Sequence, residues 1–490
     1  ENNTTTTASS TVLSVAGGAV AVNGNVLLVF NNTVAYAAIN KMPVTATGDI
    51  NVDAYMNSKA ESLLAAATVG AVAVGVTVSY VRLGSENVAL IDTTGVTVKG
   101  QNINVFAGRD ENWKRNSSSA SATALAASVG AIAVNMNAAV ADNDTINNAL
   151  ILGSGNLTAA NALNIGANGT ATAKAQVIGI SAGAISVAAS IAVALLRSEQ
   201  NALISGGHIK AGSLQVISKL NDNLTEATSI ARLVTGSGGL ITVTANVAVA
   251  YGRSRSTAGI DAASVNITGG HIKVGSYGKA EVLSEITNLS ASAITANIMV
   301  GVAYSQAAFG STINIPKNST VTADSVTIET LYTTKATADV TPSAGGVQAS
   351  LANIGINLAL ANAASQAIAS LTGEGTLNTG SVKVNADGTA TAKALTQPPS
   401  VSASVVKIAA NTVVAILSAS QQAFIEDVTI TGGSVTVQSI LNDGTGEGAV
   451  AELGSNFAGA GGIDFSKYSV DVNNATAIAN AINYAYIKGA

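Results

Sequence analysis

The 490-residue chain contains no cysteine. Disulfide staples, thiolate zinc sites and cysteine nucleophiles are therefore excluded. Aromatic residues make up only 3%, so the interior has to be filled by Val, Ile and Ala, in thin layers rather than a bulky core. Charged residues are 10%, against roughly 25% in ordinary domains. The net charge of −5 is weak. No basic stripe with interleaved aromatics points to nucleic acid, and there is no acidic tail. So little charge protects exposed faces poorly, and some faces are expected to be covered by other chains. The chain opens Glu1-Asn2-Asn3 with no leader sequence, and this start reads as a processed or excised end.

What the chain does have is one apolar phrase written nine times. Gly70-Ala71-Val72-Ala73-Val74 leads to Asn87-Val88-Ala89-Leu90-Ile91. Gly130-Ala131-Ile132-Ala133-Val134 leads to Asn148-Ala149-Leu150-Ile151, and Gly183-Ala184-Ile185-Ser186-Val187 leads to Asn201-Ala202-Leu203-Ile204. Weaker copies end near Ala37, Ile260, Gly310, Ala369, Ile425 and Ile487. The period averages about 56 residues, the mark of an array whose units bury their apolar faces on one another. The expected organisation is a single array over 1–490, with units 1–37, 38–91, 92–151, 152–204, 205–260, 261–310, 311–369, 370–425 and 426–487. Neither terminal unit looks like a polar cap. This leads to the expectation of a section of a longer array, or of a subunit whose ends are covered.

Each unit has two halves. The first carries short β-rich pieces such as Asp49-Ile50-Asn51-Val52, Ser213-Leu214-Gln215-Val216 and Ser434-Val435-Thr436-Val437. The second is the long apolar run, where large and small residues alternate with period 2. Ile185, Val187, Ile191, Val193 and Leu195 fall on one face, and Ala184, Ser186, Ala188, Ser190, Ala192 and Ala194 on the other. The large face is expected to be core. Residues 178–196 are long enough for a membrane helix, but period 2, the Gly/Ser/β-branched content and Asn135, Asn137, Asn246 and Asn297 in equivalent copies oppose it. The few aromatics make no barrel girdles. The Ala/Gly pair between long runs, as in Pro342-Ser343-Ala344-Gly345-Gly346, leaves an antiparallel hairpin open.

Residues for chemistry are sparse. His208 and His271 both stand in Gly-Gly-His-Ile-Lys without further metal ligands nearby, and read as a turn-to-strand position. Arg253 and Arg255 read as a corner facing water. Asn442-Asp443-Gly444-Thr445-Gly446-Glu447 is the nearest acidic turn, but no calcium-binding nonapeptide tandem is present. No phosphate loop, nucleophile elbow or clustered carboxylate pair occurs. The expectation is no catalytic, cofactor or metal residue. One interaction loop is singled out for its only Trp among charges: Arg109, Asp110, Glu111, Trp113, Lys114 and Arg115. Thr242-Val243-Thr244 and Thr170-Ala171-Thr172 are the pairs that an ice-binding face would use.

The unit Gly-Ala-Val-Ala-Val…Asn-x-x-x-Ala-x-Ile, then Gly-x-Val-x-Val, then a strand such as Thr170-Ala171-Thr172-Ala173-Lys174-Ala175, resembles the repeats of giant bacterial surface adhesins of the leukotoxin-type and filamentous-haemagglutinin-like group. The resemblance spans almost the whole chain. It implies a secreted, cell-surface, parallel β-helical stalk without catalytic residues. The expectation is thus an all-β, parallel β-solenoid (β-helix) of about 56-residue repeats, each supplying two or three rungs of roughly 18–28 residues. Its expected role is a structural, non-enzymatic segment of an extracellular fibre or adhesin stalk. The expected partners are copies of itself or adjoining repeats, and a host-surface protein or glycan. The alternatives are a flat-faced glycan- or ice-binding solenoid and, behind it, a carbohydrate-active β-helix enzyme.

Overall fold

A computed structural model describes residues 1–108, 115–341, 347–396, 401–443, 448–453, 463–464 and 467–489. Among these residues the regular structure is β-strand alone, and every strand pairing is parallel. An antiparallel hairpin between the long runs is thus ruled out, and so is an antiparallel membrane barrel. Residues 342–346, where the hairpin was considered, lie outside the described residues. Residues 178–182 and 185–196 belong to the strands Ala162–Ala182 and Ile185–Ser205, with a bend at 183–184, so the helical alternative fails as well.

Register defines the architecture. Asn2 lies opposite Ala54, Val72 opposite Ile132, Ile132 opposite Ile185, and Val406 opposite Tyr468. Hydrogen-bonded neighbours are thus 51 to 62 residues apart in sequence. Two or three rungs within one unit would require neighbours less than 30 residues apart, and no such pairing occurs among the described residues, which corrects that expectation. Ile39, Ile91, Ile151, Ile204, Ile260, Ile313, Leu371, Ile425 and Ile487 form one column through nine layers.

Within a layer the chain runs out along one long leg, turns at a tip and runs back. Ser62 and Ser79 are hydrogen-bonded across the interior, and so are Ser58 and Ser85 at 2.7 Å, so the legs on either side of Gly70 face each other. Asn116 Nδ2 donates to Asn147 Oδ1 at 2.7 Å about the next tip, at Gly130. The returning leg ends in a short strand such as Thr97–Gly100 or His208–Ala211, from which the next outgoing leg starts.

The interior changes character along the legs. At the base it is bulky: Val52, Val105, Ile165, Val216, Val274, Ile328 and Val384 stack in one buried column. Further out the apposed legs meet through alanines, including Ala120, Ala122, Ala139, Ala141, Ala171, Ala173, Ala192 and Ala194. Nearer the tip Asn, Ser and Thr take over. Thr77 Oγ1 donates to Asn137 Oδ1 at 2.7 Å, and Asn246 Nδ2 to Thr235 Oγ1 at 2.9 Å. Some of these buried polar groups bond to one another, whereas Thr68 Oγ1, Ser128 Oγ and Ser190 Oγ have no hydrogen-bond partner among the described residues.

The long-run faces are the reverse of the expectation. Ala192 is fully buried while Ile191 is 45% exposed, and Ile185 points outward while Ser186 points in. Two legs that face each other with nothing between leave room mostly for small side chains, with Leu83, Leu196, Leu233, Ile286 and Met299 among the larger ones admitted. Most of the larger ones therefore stand outside.

Candidate interaction surface

The outward residues of the returning legs make one continuous surface beside the tips. Its first column is Val20, Val72, Ile132, Ile185, Ile241, Ile294, Ala352, Val406 and Tyr468. Four more columns follow at two-residue steps, running through Val187, Ala189, Ile191 and Val193 of one layer. In the neighbouring layers these positions are held by Val134, Met136, Ala138 and Val140, and by Val243, Ala245, Val247 and Val249. Across all five columns and nine layers no position carries Asp, Glu, Lys or Arg. Ile132, Met136, Ile185, Ile241, Ile294, Ile298, Ile354 and Ile408 are all exposed.

The outgoing legs are built differently. Their outer face carries ion pairs between layers. Arg232 Nε lies 2.8 Å from Glu285 Oε2, and Lys174 Nζ lies 2.6 Å from Glu226 Oε2. Near the base of these legs Lys273 Nζ sits 2.6 Å from Glu329 Oε1, and the Tyr277 hydroxyl donates to the same carboxylate. Burial alone would raise the Glu329 carboxyl, but the hydrogen bonds from Lys273 and Tyr277 and the charges of Lys273 and Lys383 outweigh it and hold it below its ordinary value. Burial first, then the Glu329 hydrogen bond and charge, push the Tyr277 phenol well up.

Beyond the apolar columns, toward the base, the returning face becomes polar. Arg197 pairs with Asp142 at 2.8 Å and with Asp144 at 3.3 Å. Arg253 and Arg255 follow in the next layer, both exposed and without an ion pair among the described residues. They stand mid-strand in Ser229–Asp261, not at the expected corner. Two shallow depressions share them as walls. One reaches Asp144 and Glu199, the other Gln306, Gln366 and Ser418. Tyr251 and Tyr304 stack alongside, with ring centroids 5.4 Å apart.

Of the loop singled out by its Trp, residues Arg109, Asp110, Glu111, Trp113 and Lys114 lie outside the described residues. Arg115 donates from Nη1 to Asp222 Oδ1 at 2.8 Å. His208 and His271 both open strands and are exposed, but they occupy different columns: His208 is opposite Ser264, and His271 opposite Ser325. His208 Nδ1 is 2.8 Å from Ser264 Oγ. Among the described residues no three acidic or histidine side chains gather as for a metal, and no helix is long and apolar enough to cross a membrane. Thr242 and Thr244 point inward. Of the acidic turn, Asn442 is described. Its side chain accepts from the Ala390 amide at 2.7 Å and donates to the Ala390 carbonyl at 3.0 Å, filling the place of a backbone partner.

The apolar outer face was missed in the sequence because period 2 divides a strand into two faces without saying which is inside. The composition held a signal, since a chain this poor in charge cannot cover all its faces with ions. Comparison with protein-family models, with curated proteins and with solved structures finds nothing that matches the chain.

Proposed function

We propose that the chain is a parallel β-solenoid of about 56-residue units, one rung to a unit, that serves without catalysis as a rigid segment of an extracellular fibre or adhesin stalk. The observation that carries this reading is the register: the same columns run through nine layers, from the strand Asn2–Asn40 to the strand Tyr468–Lys488. A ladder of this kind resists stretching along its axis, because pulling two layers apart has to break a whole row of backbone hydrogen bonds. Among the described residues Asn2–Asn40 pairs only with Ile50–Asp92, and Tyr468–Lys488 only with Val401–Glu426. Each has one ladder edge able to accept a further strand of the same kind, so copies or adjoining repeats can continue the array. The resemblance to filamentous-haemagglutinin-like repeats supports a cell-surface location.

Electron microscopy of the purified native material, without crosslinking, tests the reading. Unbranched filaments, with an axial spacing of about 4.8 Å per layer in their diffraction, are the expected result. Compact particles that never associate end to end would overturn the fibre role.

A second reading has one observation in its favour. Arg253 and Arg255, without an ion pair among the described residues and beside the stacked Tyr251 and Tyr304, suit an acidic glycan lying along the depression that reaches Gln306 and Gln366. Arg253→Ala with Arg255→Ala should abolish retention on an immobilised acidic polysaccharide. Unchanged retention would sink this reading.

A further inference from the structure

We infer that two copies of this chain pack laterally, the apolar outer face of one returning sheet against that of the other. This goes beyond the stalk reading and does not depend on what the ladder edges do. Three observations carry it.

The first is area. Five columns at two-residue steps and nine layers span roughly 27 by 38 Å, about 1,000 Å². That exceeds the largest apolar patch of a typical monomer, roughly 300–600 Å², and the about 800 Å² each partner contributes to a standard interface. The second is one-sidedness. The opposite outer face carries the inter-layer pairs Arg232–Glu285 and Lys174–Glu226, whereas the apolar face has no charge at any position. A face exposed to water in the working protein would gain solubility from even a few charges. The third is commensurability. Ile132, Ile185, Ile241 and Ile294 project from consecutive layers of a parallel ladder, hence at about 4.8 Å intervals. Another ladder of the same spacing can interdigitate with such ridges over their whole length, as in paired sheets, and the chain itself supplies one. A helix or an irregular surface, with other spacings, would meet them only in places.

The test is the mass of the full chain in solution, by sedimentation and light scattering. At dilutions where no end-to-end filaments remain, the wild type should run as a pair. Ile185→Lys with Ile294→Lys should run as a single chain with an unchanged circular dichroism spectrum, whereas Gln176→Lys, on the outer face of the outgoing leg, should stay paired. Labelling supplies a readout that does not rely on the lysine variant folding, since the chain has no native cysteine. A cysteine at Ile241→Cys should react with maleimide roughly tenfold more slowly than one at Gln176→Cys, because a dry interface excludes the reagent. A wild-type chain that stays single up to its solubility limit would overturn the inference. So would pairing that survives both lysines, equal labelling at the two cysteines, or a single chain that floats with neutral phosphatidylcholine vesicles, which would assign the face to lipid.

Discussion

At the tips, glycine is required by the approach of successive layers. A Cβ on Gly130 would lie 2.1 Å from the Gly70 carbonyl oxygen, and one on Gly183 would lie 2.2 Å from that of Gly130. The backbone cannot step aside, because the legs on both sides are locked in register. Gly183→Ala should therefore destabilise by about 1–3 kcal/mol, as overpacking does, measured by denaturant unfolding. The scarce aromatics also depend on glycine. Phe309 lies over Gly278 and Tyr332 over Gly388, and the two rings stack with centroids 5.6 Å apart. Titration gives a second expectation at this scale. The folded Glu329 carboxyl is held below its ordinary value of 4.5, so its contribution is complete above that value and is lost as pH falls through the lowered one. The melting temperature should thus fall below about pH 4.5, and Glu329→Gln should reduce that fall. Tyr277, raised from 10.0, has the opposite sense: its contribution is complete below pH 10 and is lost as pH rises through the folded value.

A single leg carries two faces that obey different rules. In Ile185–Ser205 the inward positions include Ser186, Ala188, Ser190, Ala192 and Ala194, and the outward ones Ile185, Val187, Ile191 and Val193. The usual expectation of large residues inside fails over these positions because the opposing leg is close, although Leu196 further along the same strand is buried. This makes a pair of variants decisive. Ala192→Leu forces the legs apart and should cost about 1–3 kcal/mol or more. Ile191→Thr, one residue along, should change the stability of the single chain by no more than about 0.5 kcal/mol. Equal losses, measured by urea unfolding, would mean that the faces are not as described. The base behaves as an ordinary core. Ile165→Ala removes a fully enclosed side chain from its column and should cost about 2–5 kcal/mol.

Taken whole, the molecule is wider than it is long. Nine layers at about 4.8 Å give an axial length near 40 Å, whereas one 21-residue strand such as Ile185–Ser205 has a contour of roughly 70 Å. A stalk built this way gains little length per residue but presents a broad flat side, and that side is where the apolar columns lie. All pairings join residues at least 50 positions apart, so nothing local nucleates the sheet. Refolding from denaturant should take seconds or longer, and stopped-flow fluorescence showing completion within a millisecond would contradict this topology.

The all-β character and the recurrence of Ile91, Ile151, Ile204, Ile260, Ile425 and Ile487 were legible from spacing, because a periodic sequence can satisfy its backbone by pairing like with like; the parallel sense came only with the resemblance, since spacing left an antiparallel hairpin open. The base core was legible too, since Ile50 and Val52 alternate with Asn51, and Leu214 and Val216 with Ser213 and Gln215. The number of rungs per unit was not legible. A 56-residue period divides as easily into two short rungs as into one long one, and only the register between Val72 and Ile132 decides. The orientation of the long legs was equally hidden. Ile191 and Ala192 differ in size, and sequence places the larger inside by default. The tertiary structure puts it outside, because the space between two facing legs is set by the leg across from it.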